Sequence, residues 1–260
     1  MNHTNNLAFN TELSKNIFSA KYMLPSDTTI RDAINRVLTV VGKYYPEVVE
    51  ELDEAICRQW VGVAGGLWRS ACNPNNVSAI NCTTLAQPTD DLESIADMWY
   101  WWAKFSAYGQ GEGVDLSKLR PRGSSVHNSA NTSTGAVSFM RTLDGILSVI
   151  AQQGRRGASL ISLNISHPDI PEFITAKDEE GILETANISI HITDDFMNTV
   201  ATNQEWEMSY TNKYETVSKK MSAVKLFHMI AEHAWKSGDP DYNLLIPPEN
   251  NQIVITLVHL

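Results

Sequence analysis

Residues 158–193 of the chain read ASLISLNISHPDIPEFITAKDEEGILETANISIHIT. This stretch decides the fold class, because runs rich in β-branched residues alternate with segments that have helical spacing and helix-starting acids or prolines. It predicts strands at residues 158–165 and 186–193 and helices at residues 168–177 and 194–203. Alternating strands and helices predict an α/β domain whose strands are buried on both faces.

Outside this stretch, helical periodicity predominates. Apolar residues recur at intervals of three and four between residues 10 and 60, where Thr11 supplies a helix-capping signal. The other predicted elements are a strand at residues 78–84, helices at residues 90–109, 136–154 and 217–238, and a long loop between residues 109 and 135. The loop mixes Gly, Arg and Ser, which is typical of a connection that faces a ligand.

The composition restricts the class of protein. The 260 residues carry a formal net charge of −10, which argues against a protein that coats nucleic acid, since that binding needs clustered Lys and Arg. No apolar run approaches the roughly 18 residues of a membrane span, and the N-terminus lacks a basic segment followed by an apolar one. We therefore expect a cytoplasmic protein that binds neither nucleic acid nor membrane. Its three cysteines are too few and too unevenly spaced for a disulfide framework.

Two glycine-containing segments are candidates for contact with a phosphate. GQGEGV at residues 109–114 lacks a P-loop lysine, so a helix-ending turn and a phosphate contact are about equally compatible with it. Lys118, Arg120 and Arg122 follow closely, and a loop with these charges can wrap a triphosphate. In QGRRG at residues 153–157, the glycines let the backbone change conformation while the arginines offer planar donors to a phosphate or base. A solvated turn is the alternative for this segment.

Other chemically competent residues have simpler interpretations. Cys82 in a strand is more often a small buried apolar group than a reactive thiol. His167 has no second histidine at ligand spacing, and the nearby Asp169 is better explained as a helix cap. The aromatic residues of the 90–109 helix are more typical of a core than of a binding platform.

Taken in this order, the segments resemble the catalytic subunit of ribonucleotide reductase. The matching pieces are NC at 81–82, DDLESI at 90–95, LRPRGS at 119–124, STGAVSFM at 133–140, QGRRGASLISLNISHPDIPEFITAK at 153–177, NISIHITDDFM at 187–197 and WKSGDP at 235–240. The sequences of the central motifs look most like those of the adenosylcobalamin-dependent class II enzymes. A class I enzyme, whose radical comes from a metal-containing small subunit, is the alternative.

The resemblance implies a fold and a reaction. The fold is a ten-stranded α/β barrel of the ribonucleotide reductase type, present here in part and preceded by a helical region. The reaction replaces the 2′-hydroxyl of a ribonucleotide with hydrogen by a thiyl-radical route, and a cysteine pair supplies the electrons and becomes a disulfide. Cys82 matches the first cysteine of that pair, and Asn81 would bind the substrate beside it.

The resemblance also implies an allosteric effector site. Asp90 and Arg120 match the acid and the arginine of the site that binds a deoxynucleoside triphosphate. The mobile loop that carries information from effector to substrate matches Gln153, Gly154, Arg155, Arg156 and Gly157. The implied cofactor is adenosylcobalamin, and the implied reductant is a thioredoxin-like or glutaredoxin-like protein.

The sequence departs from the family after residue 240. The Asn-x-Cys-x-Glu type of motif that carries the thiyl cysteine does not appear, nor does the second redox cysteine. We therefore expect a helical region at residues 1–65, the first part of the barrel at residues 66–240 and an atypical tail at residues 241–260. Such a chain would be inactive alone and would need a second polypeptide to complete the barrel. A non-catalytic deoxynucleotide-binding fragment and an inactive remnant are the alternatives.

Overall fold

The computed structural model describes residue 9 and residues 11–75, 77–126, 130–150, 159–178 and 183–244. The α-helices are α1 (Glu12–Tyr22), α2 (Ile30–Gly42), α3 (Val49–Cys57), α4 (Gly65–Ser70), α5 (Leu92–Ala107), α6 (Ala136–Val149), α7 (Ile170–Ile174), α8 (Asp194–Ala201) and α9 (Ala223–Ser237). The strands are β1 (Cys82–Thr84), β2 (Gly111–Asp115), β3 (Ser159–Asn164), β4 (Ala186–Ile192), β5 (Glu205–Thr211), β6 (Thr216–Ser222) and β7 (Asp241–Leu244). Within these ranges, no helix is both long enough and apolar enough to cross a bilayer.

The described residues form two compact units, and each has its own apolar core. The first unit holds those of residues 1–83 and 105–111, and the second holds those of residues 84–104 and 112–150 and from residue 157 onward. Helices α1 to α4 belong to the first unit, which agrees with the helical periodicity of its sequence.

Local sequence signals set the helix starts in the first unit. The Thr11 hydroxyl accepts a hydrogen bond from the Ser14 backbone N–H (3.1 Å), so the predicted cap of α1 is confirmed. Thr29 and Asp32 form a capping box at α2, in which each side chain accepts from the backbone N–H of the other. The box therefore pairs two backbone N–H groups at the start of α2, those of Thr29 and Asp32.

A five-stranded sheet has the strand order β1-β2-β3-β4-β7, and its strands β3, β4 and β7 lie in the second unit. Strands β2, β3, β4 and β7 pair in parallel. Ile161 is opposite Ile188 and Leu163 is opposite Ile190, and all four side chains are fully buried. The predicted α/β class and the strands and helix of the 158–203 segment are confirmed, and the described strands form an open sheet.

Two predictions of local structure are wrong. Residues 111–115 form β2, although the 109–135 segment is predicted as a loop, because Gly111 and Gly113 carry no side chain to show a strand pattern. Residues 216–222 form β6, although a helix is predicted from residue 217. Strand β6 pairs with β5 in an antiparallel hairpin, and α9 begins only at Ala223 after the Ser222 cap.

Candidate functional site

Two turns of the second unit bring Asp90 and Arg120 together. Asp91 accepts a hydrogen bond from the Ser94 backbone N–H (2.8 Å), which caps the start of α5 and fixes the residue before it. After β2, the Leu119 backbone N–H donates to the Leu116 carbonyl (3.0 Å) in a tight turn. Arg120 follows this turn and reaches back to Asp90, so the pair that the family resemblance implies is present in the structure.

The Asp90–Arg120 pair is held by several hydrogen bonds. Arg120 Nε donates to Asp90 Oδ2 (2.7 Å), and the Arg120 backbone N–H donates to Asp90 Oδ1 (3.0 Å). Arg120 Nη1 donates to the Ser125 carbonyl (2.7 Å) and Nη2 donates to the Asp90 carbonyl (3.3 Å). Three of the five guanidinium N–H groups therefore have described partners. The two side chains are 18% and 19% exposed, so the pair remains open to a ligand.

A cavity of about 310 Å³ opens beside this pair. Its apolar wall includes Leu92, Ile95 and Phe139, and its hydroxyl-bearing wall includes Thr132, Ser133 and Thr134. Ligand sites typically combine a largely apolar lining with a few placed polar groups. An apolar wall beside a guanidinium and hydroxyl groups suits a ligand that has both a ring and an anionic part.

Sequence reasoning missed a third member of the site, Tyr210 on β5. Its hydroxyl donates to Asp90 Oδ2 (2.9 Å) and lies 3.3 Å from the Lys118 carbonyl. Burial and the contact with Asp90 raise the pKa of Tyr210 to about 12, so the hydroxyl keeps its proton at neutral pH. The sequence pattern that could have identified Tyr210 is the strand alternation EWEMSYT at residues 205–211, in which Trp206, Met208 and Tyr210 share one face.

His167 supports the loop that carries Arg120. Its Nε2–H donates to the Leu119 carbonyl (2.8 Å), and its Nδ1 accepts from the Asp169 backbone N–H (3.1 Å). Burial lowers the pKa of His167, and these two bonds suit the neutral ring with its proton on Nε2.

Asp169 is a helix cap, as predicted, but it caps α6 and not the adjacent α7. Its carboxylate accepts from the backbone N–H groups of Ala136 (3.1 Å) and Arg122 (3.0 Å). Gly135 makes this approach possible, because a Cβ there would lie 2.5 Å from Asp169 Oδ2 and the residue has a φ of +84°. The buried carboxylate thus ties the start of α6 to the loop that follows Arg120.

Of the two neighbouring cations of the loop, Arg122 is less available than the sequence suggests. The Arg122 guanidinium makes a two-bonded ion pair with Glu172, at 2.8 Å and 2.6 Å. Lys118 is exposed, and its carbonyl faces Tyr210.

The GQGEGV segment forms part of β2, and Gly109, with a φ of +77°, follows the end of α5. The helix-ending turn is therefore confirmed for Gly109.

Asn81 and Cys82 lie in the first unit at the start of β1. Asn81 Oδ1 accepts from the Gly66 backbone N–H (2.6 Å), and its carbonyl accepts from the Gly111 backbone N–H (2.7 Å). Gly66 permits this contact, since a Cβ there would lie 2.7 Å from Asn81 Oδ1. The Cys82 thiol is unpaired and exposed, so the buried interpretation of this cysteine is wrong.

The predicted communication loop lies outside the described residues. This applies to Gln153, Gly154, Arg155, Arg156 and Gly157, and their assignment stays a prediction.

The sequence of this chain was compared with known protein families. Residues 80–255, more than half of the chain, match the family described as the ribonucleotide reductase barrel domain. The chain belongs to the ribonucleotide reductase family. The match includes all seven segments that carry the resemblance, and with them Asn81, Cys82, Asp90 and Arg120.

Several similar proteins carry the ribonucleotide reductase name. The chain is 36% identical to a vitamin B12-dependent ribonucleoside-diphosphate reductase of Thermoplasma acidophilum, over 58% of this chain and 20% of that protein. It is 37% identical to a protein of the same name from Mycobacterium tuberculosis strain H37Rv, over 58% of this chain and 22% of that protein. A vitamin B12-dependent ribonucleotide reductase of Streptomyces avermitilis is 27% identical over 86% of this chain and 28% of its own length. The chain thus spans about a fifth to a quarter of these relatives.

Proposed function

We propose that this chain is the N-terminal portion of a B12-dependent type of ribonucleotide reductase, and that its Asp90–Arg120 cavity binds a deoxynucleoside triphosphate effector. The observation that carries the effector site is the arginine, held by Asp90 beside a cavity of about 310 Å³, with two guanidinium N–H groups that have no partner among the described residues. The guanidinium would contact phosphate oxygens, and Asp90 would accept a hydrogen bond from a sugar hydroxyl.

Cys82 is the proposed first member of the redox cysteine pair. In the overall reaction the 2′-hydroxyl leaves as water, C2′ gains a hydrogen, and two thiols lose two electrons and two protons to form one disulfide. Support comes from the exposed thiol at the start of β1 and from Asn81 before it, which would bind the ribonucleotide substrate. A thioredoxin-like or glutaredoxin-like protein in the cytoplasm would then reduce the disulfide.

The cofactor would be adenosylcobalamin, on the strength of the relatives' names. The cavity beside Arg120 does not fit it, because a corrin ring with its side groups is far larger than about 310 Å³.

Calorimetry of the full chain with dATP, dTTP and dGTP tests the effector site. We expect at least one triphosphate to bind, and Asp90→Asn and Arg120→Met each to weaken it by about tenfold or more, the ratio that about 1.4 kcal/mol corresponds to. Arg58→Met is the matched control, since Arg58 pairs with Glu54 on an exposed face of the first unit. No heat with any triphosphate, from a chain that circular dichroism shows to be folded, would contradict the proposal.

Residues 1–260 do not contain the Asn-x-Cys-x-Glu type of motif, so a polypeptide of these residues would need the thiyl cysteine from elsewhere in order to reduce a ribonucleotide. Purified alone, it should convert no ribonucleotide to deoxyribonucleotide in the presence of dithiothreitol and adenosylcobalamin. Measurable turnover would contradict this part of the proposal. A non-catalytic deoxynucleotide-binding fragment is the second candidate, and the cavity beside Arg120 favours it over an inactive remnant.

A further inference from the structure

The hairpin formed by β5 and β6 contacts the effector site at two points. Tyr210 donates its hydroxyl proton to Asp90 Oδ2 (2.9 Å). At the tip of the hairpin, Glu215 Oε1 accepts from the Ser125 backbone N–H (2.7 Å). Ser125 is also the residue whose carbonyl receives Arg120 Nη1. Both members of the Asp90–Arg120 pair are therefore tied to the same hairpin.

The hairpin is firmly attached to the sheet of the second unit. Trp206 Nε1 donates to the Ile165 carbonyl (3.1 Å), and the Ser209 backbone N–H donates to the Ser166 carbonyl (2.8 Å). Between these two contacts, Met208 is 1% exposed. Tyr210 continues the same inward face, and its ring lies edge-on to the ring of His167. The hydroxyl is thus placed by a strand that cannot easily shift.

The tip of the hairpin has hydrogen bonds of its own. Asn212 Oδ1 accepts from the backbone N–H groups of Tyr214 (2.8 Å) and Glu215 (3.0 Å). The Asn212 backbone N–H donates to the Glu215 carbonyl (3.0 Å). This turn fixes the backbone of Glu215, and its carboxylate can then hold Ser125.

The hydrogen bonds that the Asp90 carboxylate already accepts limit how many more it can accept from a ligand. A carboxylate has about four acceptor positions. Oδ2 receives Arg120 Nε and the Tyr210 hydroxyl, and Oδ1 receives the Arg120 backbone N–H. One position on Oδ1 remains for a single hydroxyl of a ligand. Without Tyr210 the carboxylate loses one of its three anchors and can rotate away from that orientation.

We propose that Tyr210 and Glu215 are positioning residues of the effector site, which together hold Asp90 and residues 120–125 in the conformation that receives a deoxynucleoside triphosphate. Neither residue needs to touch the ligand. The inference rests on the effector function proposed for the Asp90–Arg120 cavity.

Nucleotide affinity tests the positioning role. Tyr210→Phe keeps the ring and removes only the hydroxyl, and it should weaken binding of the preferred triphosphate roughly tenfold, as expected for one hydrogen bond to a charged group. Tyr100→Phe, at an exposed tyrosine of α5, is the matched control and should leave the affinity unchanged. Glu215→Ala should weaken binding, whereas Glu215→Gln, which keeps an acceptor for Ser125, should restore it.

A double-mutant cycle separates positioning from a general loss of structure. If Tyr210 acts through Asp90, Tyr210→Phe should cause no further loss of affinity in an Asp90→Asn background. Additive losses from the two substitutions would overturn the inference, since they would place the effect of Tyr210 elsewhere.

Amide hydrogen exchange of the ligand-free chain makes the result independent of nucleotide binding. Tyr210→Phe should speed exchange of the Arg120 amide, and Glu215→Ala should speed exchange of the Ser125 amide, each by roughly tenfold if one anchoring hydrogen bond is lost. Unchanged exchange at both amides would overturn the inference even if triphosphates bind. Faster exchange in a chain that binds no triphosphate would support the holding role of the hairpin and overturn its link to an effector.

Discussion

The Arg36–Asp27 pair of the first unit and the Arg120–Asp90 pair of the second unit use their guanidinium groups in opposite ways. In the first unit, Arg36 donates to Asp27 through Nε (2.9 Å) and Nη2 (2.8 Å). Its other three N–H groups donate to the carbonyls of Tyr22, Trp68 and Ala71 at 2.7–3.2 Å. All five donors are used, and the two side chains are only 10% and 3% exposed.

The Arg120–Asp90 pair of the second unit is similar in contact distance and different in surroundings. Arg120 has described partners for three of its five donors, and a cavity adjoins it. The comparison shows that an arginine–aspartate contact alone does not indicate a binding site. The number of donors that the fold already uses, and the presence of an adjacent cavity, separate a structural pair from a candidate site.

The largest effect should come from breaking the closed pair. Arg36→Met removes five hydrogen bonds and leaves the nearly buried Asp27 carboxylate without its cation, so we expect the free energy of unfolding to fall by about 3–5 kcal/mol. Urea denaturation followed by circular dichroism measures this. Arg58→Met, at a half-exposed pair on the same unit, should lower it by no more than about 1 kcal/mol. Equal losses in the two variants would remove the basis of the comparison.

At the open Arg120–Asp90 pair, a substitution should affect triphosphate binding more than the free energy of unfolding. Arg120→Met should cost only about 1 kcal/mol of unfolding free energy, because the pair is partly solvated, while the triphosphate affinity falls. Denaturation and calorimetry on the same preparation give both values. A stability loss as large as that of Arg36→Met would make Arg120 a structural residue instead.

The sequence predicted those parts of the second unit whose signals are local. The strands β3 and β4 and the helix α8 were predicted because buried strands and amphipathic helices leave a pattern within about ten residues. The Asp90–Arg120 pair came from the family resemblance, since no local pattern relates residues 30 positions apart.

Tyr210 was missed for two physical reasons. Strand β6 is mostly polar and exposed, so VSKKMS joined the following helical pattern and hid the hairpin. The bond from Tyr210 to Asp90 also joins residues 120 positions apart, and only the tertiary fold creates such a contact. The alternation in EWEMSYT was present in the sequence, but without a recognised partner strand it did not define a hairpin.

A smaller effect should appear in the pH dependence of the unfolding free energy. Two histidines of the second unit, His167 and His191, are harder to protonate in the folded chain than in the unfolded chain. Burial lowers the pKa of both His167 and His191 below the ordinary value of 6.5. Below pH 6.5 the unfolded chain therefore binds protons that the folded chain does not, so the unfolding free energy falls as the pH drops from 6.5 towards 5. His167→Gln should flatten part of this slope, and the slope left over would be assigned to His191. Denaturation at pH 8 is the reference, because both histidines are neutral there in the folded and the unfolded chain. If the unfolding free energy of the variant has the same slope against pH as that of the unsubstituted chain, the neutral assignment of His167 is contradicted.

A third arginine–aspartate pair, Arg31–Asp53, is slightly more exposed than the other two and adjoins a thiol. The side chains are 25% and 21% exposed, and the Cys57 sulfur lies 3.5 Å from Asp53 Oδ1 and 3.6 Å from Arg31 Nη1. Burial raises the pKa of the Cys57 thiol, and the Asp53 carboxylate raises it further, while Arg31 opposes both effects. Asp53→Asn should lower this pKa and so speed alkylation of Cys57 by iodoacetamide at pH 7.5, because the thiolate is the reactive form.

Mass spectrometry can follow the three cysteines of one sample, with the exposed Cys72 and Cys82 as internal references. In the unsubstituted chain Cys57 should react more slowly than both. If Asp53→Asn speeds all three cysteines equally, the substitution has loosened the first unit as a whole, and the electrostatic role of Asp53 is contradicted. Selective acceleration of Cys57 would show that the Asp53 carboxylate, in the most exposed of the three pairs, controls the reactivity of the neighbouring thiol.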